Sequence, residues 1–176
     1  MEIKLEFEYD DFFGVPDIKI SLGDIILYNN SVKSEIIIDV ELPEAAHQLC
    51  IEHVNKEITH TSQEHDRHIV IKRIWFDGVD LDQLAYNKLT HGGRFYPTYE
   101  SSYKQTCAAN GVELPEFICP NHYLGHNGKW ILDFSYPALL WIIKLQNPTG
   151  INLEDTIFST SSDVLNDIKN YFNLNV

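Results

Sequence analysis

The sequence predicts a mostly β fold: an antiparallel β-sandwich carrying a loop-rich aromatic insertion and ending in an α-helix. Three observations carry that expectation. Short runs of alternating polar and apolar residues recur at roughly ten-residue spacing, as in sandwiches and barrels. The run His68 to Phe76 changes phase midway, which an antiparallel strand does at a bulge. The stretch from Gln83 to Gly128 abandons alternation for Tyr, Phe, Gly, Pro, Asn and His.

Taken in order, Ile3, Leu5 and Phe7 alternate with Glu2, Lys4, Glu6 and Glu8, so one face of the first strand is buried. Gly14 and Pro16 mark a turn, after which Ile18 and Ile20 alternate with Asp17 and Lys19. Ser21 to Asp24 turns the chain into a strand at Ile25 to Tyr28, and Asn29-Asn30-Ser31 makes the next turn. Ser34 to Leu42 reads as one long strand with Ile36, Ile38, Val40 and Leu42 on a common side. His47 to His53 follows, with Leu49 and Ile51 inward. In His68 to Phe76, Ile69 and Ile71 share one phase and Ile74 and Phe76 the other, which places a bulge near Lys72-Arg73 and turns Trp75 outward. Asp77-Gly78 supplies a turn before Val79 and Leu81. Trp130, Leu132 and Phe134 define a late strand, and the apolar run Ala138 to Lys144 reads as another. Trp130 and Trp141 are expected in the core.

The sandwich is assigned to residues 1–150, with the insertion at about 83–128 inside it and a helical extension at 151–176. Within the insertion, Thr98 caps a short helix with Tyr99, Tyr103 and Cys107 on one face, ended by Asn110-Gly111. In the extension, Val164, Leu165, Ile168, Tyr171 and Phe172 fall on one helical face behind a Ser161 or Ser162 cap.

Composition narrows the function. The 176 residues are 44% hydrophobic and 22% charged, within the range of folded globular chains. With 13 basic and 26 acidic residues the formal charge is −13, a field that repels phosphate backbones and anionic lipid. No nucleic-acid or membrane partner is therefore expected, whereas cations, basic partners or neutral sugars suit the charge. Cys50, Cys107 and Cys119 lack CxxC spacing and read as buried thiols of a protein made in a reducing cytoplasm. The N-terminal alternation is unlike a signal peptide, and the apolar run at Pro137 to Ile143 is too short for a membrane span.

No GxSxG elbow, P-loop or GxGxxG stretch is present, so the chain is expected not to be an enzyme. His60, His65 and His68 crowd Asp66, but HxxxxHxxH in a loop has no standard ligand geometry and reads as exposed loop histidines. Asp66 and Arg67 are expected to pair as a salt bridge at a strand start.

Residues Leu49 to Lys56, a polar loop, and then Asp66-Arg67-His68-Ile69-Val70-Ile71-Lys72-Arg73-Ile74-Trp75-Phe76-Asp77-Gly78 resemble the jelly-roll sandwich of calcium-dependent, xylan-binding-type carbohydrate-binding modules. Gly14 to Ile20 with Gly23-Asp24 resembles the early Gly-x-Pro strand of the same family, so the likeness covers roughly residues 10 to 80. The resemblance implies a calcium and sugar site beside the loop Asn55 to Asp66. Asn55, Glu64 and Asp66 would be metal ligands, although Lys56 stands where that family often has an acid. The residues themselves call for no cofactor; calcium enters through the resemblance alone. Trp75, Tyr96, Tyr99 and Tyr123 are the candidate ligand-binding aromatics.

The second half, including Leu124 to Trp130 and Pro137 to Trp141, lies outside that pattern. Its layout and the Asn-, Ile- and Tyr-rich composition resemble small virion proteins of tailed bacteriophages that reuse such sandwiches. The leading expectation is a non-enzymatic virion structural, decoration or tail-associated protein, made in the host cytoplasm and partnered by other virion subunits in an oligomeric assembly. The alternative is a glycan-binding module, with or without calcium. A second alternative is an enzyme with a dispersed site. Flat aromatics beside carboxylates and amides in a groove would favour the glycan module.

Overall fold

The computed structural model describes residues 1–62, 64–84 and 93–146. In chain order the first strands are β1 (Glu2–Tyr9), β2 (Asp17–Leu22), β3 (Ile25–Ser31), β4 (Glu35–Asp39), β5 (Ala46–His53), β6 (Ile69–Phe76) and β7 (Val79–Asp80). They are followed by α1 (Leu81–Leu84), β8 (Arg94–Pro97), α2 (Ser101–Ala109), β9 (Tyr123–Leu124), β10 (Gly128–Ser135) and α3 (Ala138–Gln146).

The strands form two antiparallel sheets. One runs β4-β1-β6-β7, with β9 also paired to β6; the other runs β3-β2-β5-β10-β8. Their inner faces share one apolar core. Ile3, Leu5, Phe7, Ile69, Ile71, Ile74 and Phe76 come from the first sheet, and Ile18, Ile20, Leu49, Ile51, Trp130, Leu132 and Phe134 from the second. The mostly β sandwich read from alternation is the observed fold.

The expected bulge is present. Along β1 and β6, Glu6 opposes Arg73 but Phe7 opposes Ile71, so Lys72 is the extra residue. Lys72 and Arg73 are both exposed, and the buried set continues as Ile74 and Phe76. Trp75 faces outward, half-buried, with the Lys4 ammonium 4.8 Å from its ring centre. Asp77 and Gly78 close the β6–β7 hairpin with φ of 49° and 76°, as a two-residue turn of the primed type requires.

Several expectations are corrected. Ala138 to Lys144 is a helix, not a strand. Pro137 precedes its first residue, the Trp141 N–H donates to the Pro137 carbonyl, and the fully buried positions are Ala138 and Ile142, four apart. Trp141 is half-buried rather than enclosed, packed beside Phe134 and Phe76 with ring centres 6.1 Å and 6.4 Å away. β3 runs through Asn29-Asn30 instead of turning there, and β4 stops at Asp39, short of Leu42. Within the insertion, Arg94–Pro97 is a sheet strand, with Phe95 opposite Trp130. Helix α2 starts after Glu100, not at a Thr98 cap, and ends at Asn110 with Gly111 at φ 67° as expected. The three cysteines are free; Cys107 is buried, Cys50 half-buried and Cys119 exposed. No helix among the described residues is long and apolar enough to cross a membrane. The expected helix at 161–172 lies outside the described residues.

Candidate functional site

Loops at one end of the sandwich enclose a cavity of about 560 Å³. One wall is the turn between β5 and β6, contributing Lys56, Glu57, Thr61 and Asp66. A second is the β9–β10 loop, with Tyr123, Gly125, His126 and Asn127. The third is β8 and α2, with Phe95, Thr98, Glu100, Ser102, Tyr103 and Thr106.

The turn is built on Arg67. Its guanidinium donates to the carbonyls of Phe13 (2.6 Å), Gly14 (3.0 Å) and Asn55 (2.9 Å), and to His60 Nδ1 (3.1 Å). Since the Glu57 N–H also donates to His60 Nδ1, that nitrogen is an acceptor and His60 carries its proton on Nε2. The expected Asp66–Arg67 pair is replaced. Asp66 and Arg67 are neighbours in extended backbone and point to opposite sides, so Asp66 is left facing the cavity.

There Asp66 accepts from the Lys56 ammonium and the Thr61 hydroxyl (2.6 Å) on one oxygen, and from the Tyr123 hydroxyl (2.9 Å) on the other. The Lys56 ammonium also donates to the Gly125 carbonyl. Asn127 clasps the Lys56 backbone, accepting from its N–H at 2.8 Å and donating to its carbonyl at 2.7 Å. Burial alone would raise the Asp66 pKa, but the hydrogen bonds from Lys56, Thr61 and Tyr123 outweigh it and hold the carboxyl below its usual range. Burial, joined by the bond to Asp66, raises the Tyr123 hydroxyl. Burial, and then the charge of Lys56, lowers His126, favouring its neutral form.

The aromatic surface is placed by packing. Tyr123 lies against Gly125, where an added Cβ would come within 2.4 Å of its ring, and His68 flanks it at 5.0 Å. Tyr103 stacks on Tyr99 at 5.8 Å, and His126 packs edge-on to Tyr99 at 5.1 Å. Of the four aromatics named from sequence, Tyr123 lines the cavity and Tyr99 supports it through Tyr103 and His126. Tyr96 packs on Phe117 at 5.6 Å, and Trp75 lies on the outer face of the first sheet. Tyr103, His126, Asn127 and Glu100 were not singled out as site residues; the aromatic insertion was the signal that pointed to their region.

The expected metal ligands are not brought together. Asn55 spends its amide on Asp17, accepting from its N–H at 2.8 Å and donating to its carboxylate at 2.9 Å. Glu64 is exposed on the turn, and Asp66 already holds an ammonium. Calcium takes six to eight oxygens, and the Asp66 carboxylate that would head such a set is bonded to the Lys56 ammonium instead. Among the described residues no group of three or more His, Cys, Asp or Glu side chains is placed to hold a metal.

No family model matches the chain, and no curated protein matches it either. Two solved structures are similar to it. One is a carbohydrate-binding module, vCBM60, in complex with galactobiose, at 8% identity, covering 75% of this chain and 97% of that one with a TM-score of 0.45. The other is the selenomethionine form of vCBM60, associated with a circular permutation that links two families of calcium-dependent carbohydrate-binding modules. It is 7% identical, covers 74% of this chain and 88% of that one, and has a TM-score of 0.48.

Proposed function

We propose that the chain is a non-catalytic glycan-binding module whose site is the cavity between the β5–β6 turn, α2 and the β9–β10 loop. One observation carries this reading: the exposed rings of Tyr103 and Tyr123 share a single cleft with Glu57, Asp66, Glu100 and Asn127. Flat rings suit the C–H faces of a pyranose, and carboxylates and amides suit its hydroxyls. The volume of about 560 Å³ lies in the range of small-ligand sites. Glu57, Asp66 and Glu100 outnumber Lys56, so the ligand is a neutral sugar rather than an acidic one.

Binding without catalysis fits the state of Asp66. A carboxylate bonded to an ammonium and two hydroxyls stays ionised and has no proton to give a leaving group. The virion-subunit reading rests on composition and on the hybrid layout of the chain. The cavity, a concave cleft lined by convergent polar groups, favours a small polar ligand over a protein face.

An array of neutral and acidic oligosaccharides, followed by calorimetry on any hit, tests the reading. Neutral sugars are expected to bind. Tyr103→Ala is expected to weaken them roughly five-fold, about 1 kcal/mol, and to lower the melting temperature only slightly, through lost contacts with Tyr99 and His126, because Tyr103 is an exposed helix residue. A blank array, or binding indifferent to Tyr103, would overturn it.

A further inference from the structure

We propose that the Lys56 ammonium is the resident cation of this site: it ties the cavity loops together without a metal ion and offers a remaining N–H to a ligand oxygen. The second half of that statement rests on the glycan reading above; the first half does not.

Lys56 is held from both ends. Its backbone is clasped by Asn127, and its side chain, only 9% exposed, ends between the Asp66 carboxylate and the Gly125 carbonyl. Those two acceptors belong to different walls of the cavity. Asp66 sits on the β5–β6 turn and is bonded onward to Tyr123, while the Asn127 carbonyl receives the Thr98 N–H at 2.7 Å, next to α2. The ammonium thus ties the β5–β6 turn to the β9–β10 loop, and the Asn127 backbone carries the link on to Thr98 beside α2.

The donor arithmetic suits an ammonium and not a divalent ion. A lysine has three N–H donors and no acceptor, and two of its donors are met here by Asp66 and Gly125. Because Lys56 also lines the cavity, the third hydrogen is the one a sugar oxygen can accept. Calcium takes six to eight oxygens, at least three more than the Asp66 carboxylate and the Gly125 carbonyl supply. Loss of the charge would leave a partly buried carboxylate facing a carbonyl, two acceptors with nothing between them, and would weaken the contact between the two loops.

The experiment is a melt of the whole chain, and of Lys56→Met, in millimolar EDTA and in millimolar calcium chloride, with the oligosaccharide array repeated in both. The wild-type melting temperature is expected to stay within about a degree throughout, since an ion that does not bind the native state does not shift its stability. Array signals are expected to survive EDTA. Lys56→Met is expected to melt several degrees lower and to lose at least ten-fold in sugar affinity, whereas Lys56→Arg, which keeps charge and donors, recovers part of both. A calcium-dependent rise of several degrees in the wild type, or sugar binding abolished by EDTA, would overturn the proposal while leaving the glycan reading standing. Undiminished sugar binding by Lys56→Met would overturn it too. A blank array with the expected melts would sink the glycan reading and leave the loop tie intact. Should Lys56→Met not fold, the wild-type EDTA and calcium arms decide alone.

Discussion

His53 is fully buried on β5, with Nδ1 3.3 Å from the Leu124 carbonyl beneath the β9–β10 loop. Burial, with a smaller push from the charges of Lys56 and Arg67, lowers its pKa from 6.5 to about 4. The unfolded chain binds this proton first on acidification, so the neutral imidazole contributes stability that is fully present above pH 6.5. That stability is lost as pH falls towards 4. The full loss, as the pKa falls from 6.5 to about 4, is roughly 3 kcal/mol. Urea titrations at pH 7 and pH 4.5 should show most of that decline in the wild type and a flatter profile in His53→Leu. Arg67 illustrates a different residue-scale point. Sequence placed it beside Asp66 as an ion pair, yet its role is to gather backbone carbonyls from two loops. Adjacent residues in extended chain face opposite ways, and only the fold shows what lies on each side.

At the scale of single elements, β6 was legible because its pattern contains a contradiction that a bulge alone resolves. Ile69 and Ile71 cannot share a face with Ile74 and Phe76 unless one residue is extra, and Lys72 is that residue. Deleting Lys72 should therefore cost more than any substitution there. The register would slip by one, and either Ile69 and Ile71 or Ile74 and Phe76 would turn to solvent. The expected outcome is loss of cooperative thermal unfolding by circular dichroism, whereas Lys72→Ala should melt near the wild type. The segment α3 was not legible in the same way. The six apolar residues from Ala138 to Ile143 carry no period, and strand and helix both bury such a run. The overlooked cue was Pro137, which suits the entry to a helix and interrupts a strand.

At the scale of the whole molecule, the sandwich could be read from alternation because strand periodicity is local, while the cavity could not. Its walls come from segments around residues 56–66, 95–106 and 118–127, and neither alternation nor spacing says that Lys56 meets Gly125 or that Tyr103 and Tyr123 line one cavity. What sequence did show was the aromatic insertion that supplies two of the walls. The formal charge of −13 is also a property of the whole chain. Self-repulsion of that size is screened over about 10 Å at 0.1 M salt, so sodium chloride should raise the melting temperature by a few degrees over a low-salt buffer. Exposed pairs such as Lys72–Glu8 are screened as well, but each contributes little and does not reverse the sign.

Trp130 gives the molecule an optical property of its own. Its indole N–H donates to the Asn121 carbonyl at 2.6 Å, and Asn121 borders the cavity. Gly93 makes room for the ring, since a Cβ there would sit 2.0 Å from it. Trp75 lies on the opposite sheet, outward-facing under Lys4. Of the three indoles, Trp130 therefore emits from dry surroundings at the cavity rim, Trp75 from wetter ones reachable by a collisional quencher, and half-buried Trp141 from beside Phe134, away from the cleft. Occupancy of the cleft is thereby written into the short-wavelength edge of the protein's own fluorescence, so a ligand can be followed without a label.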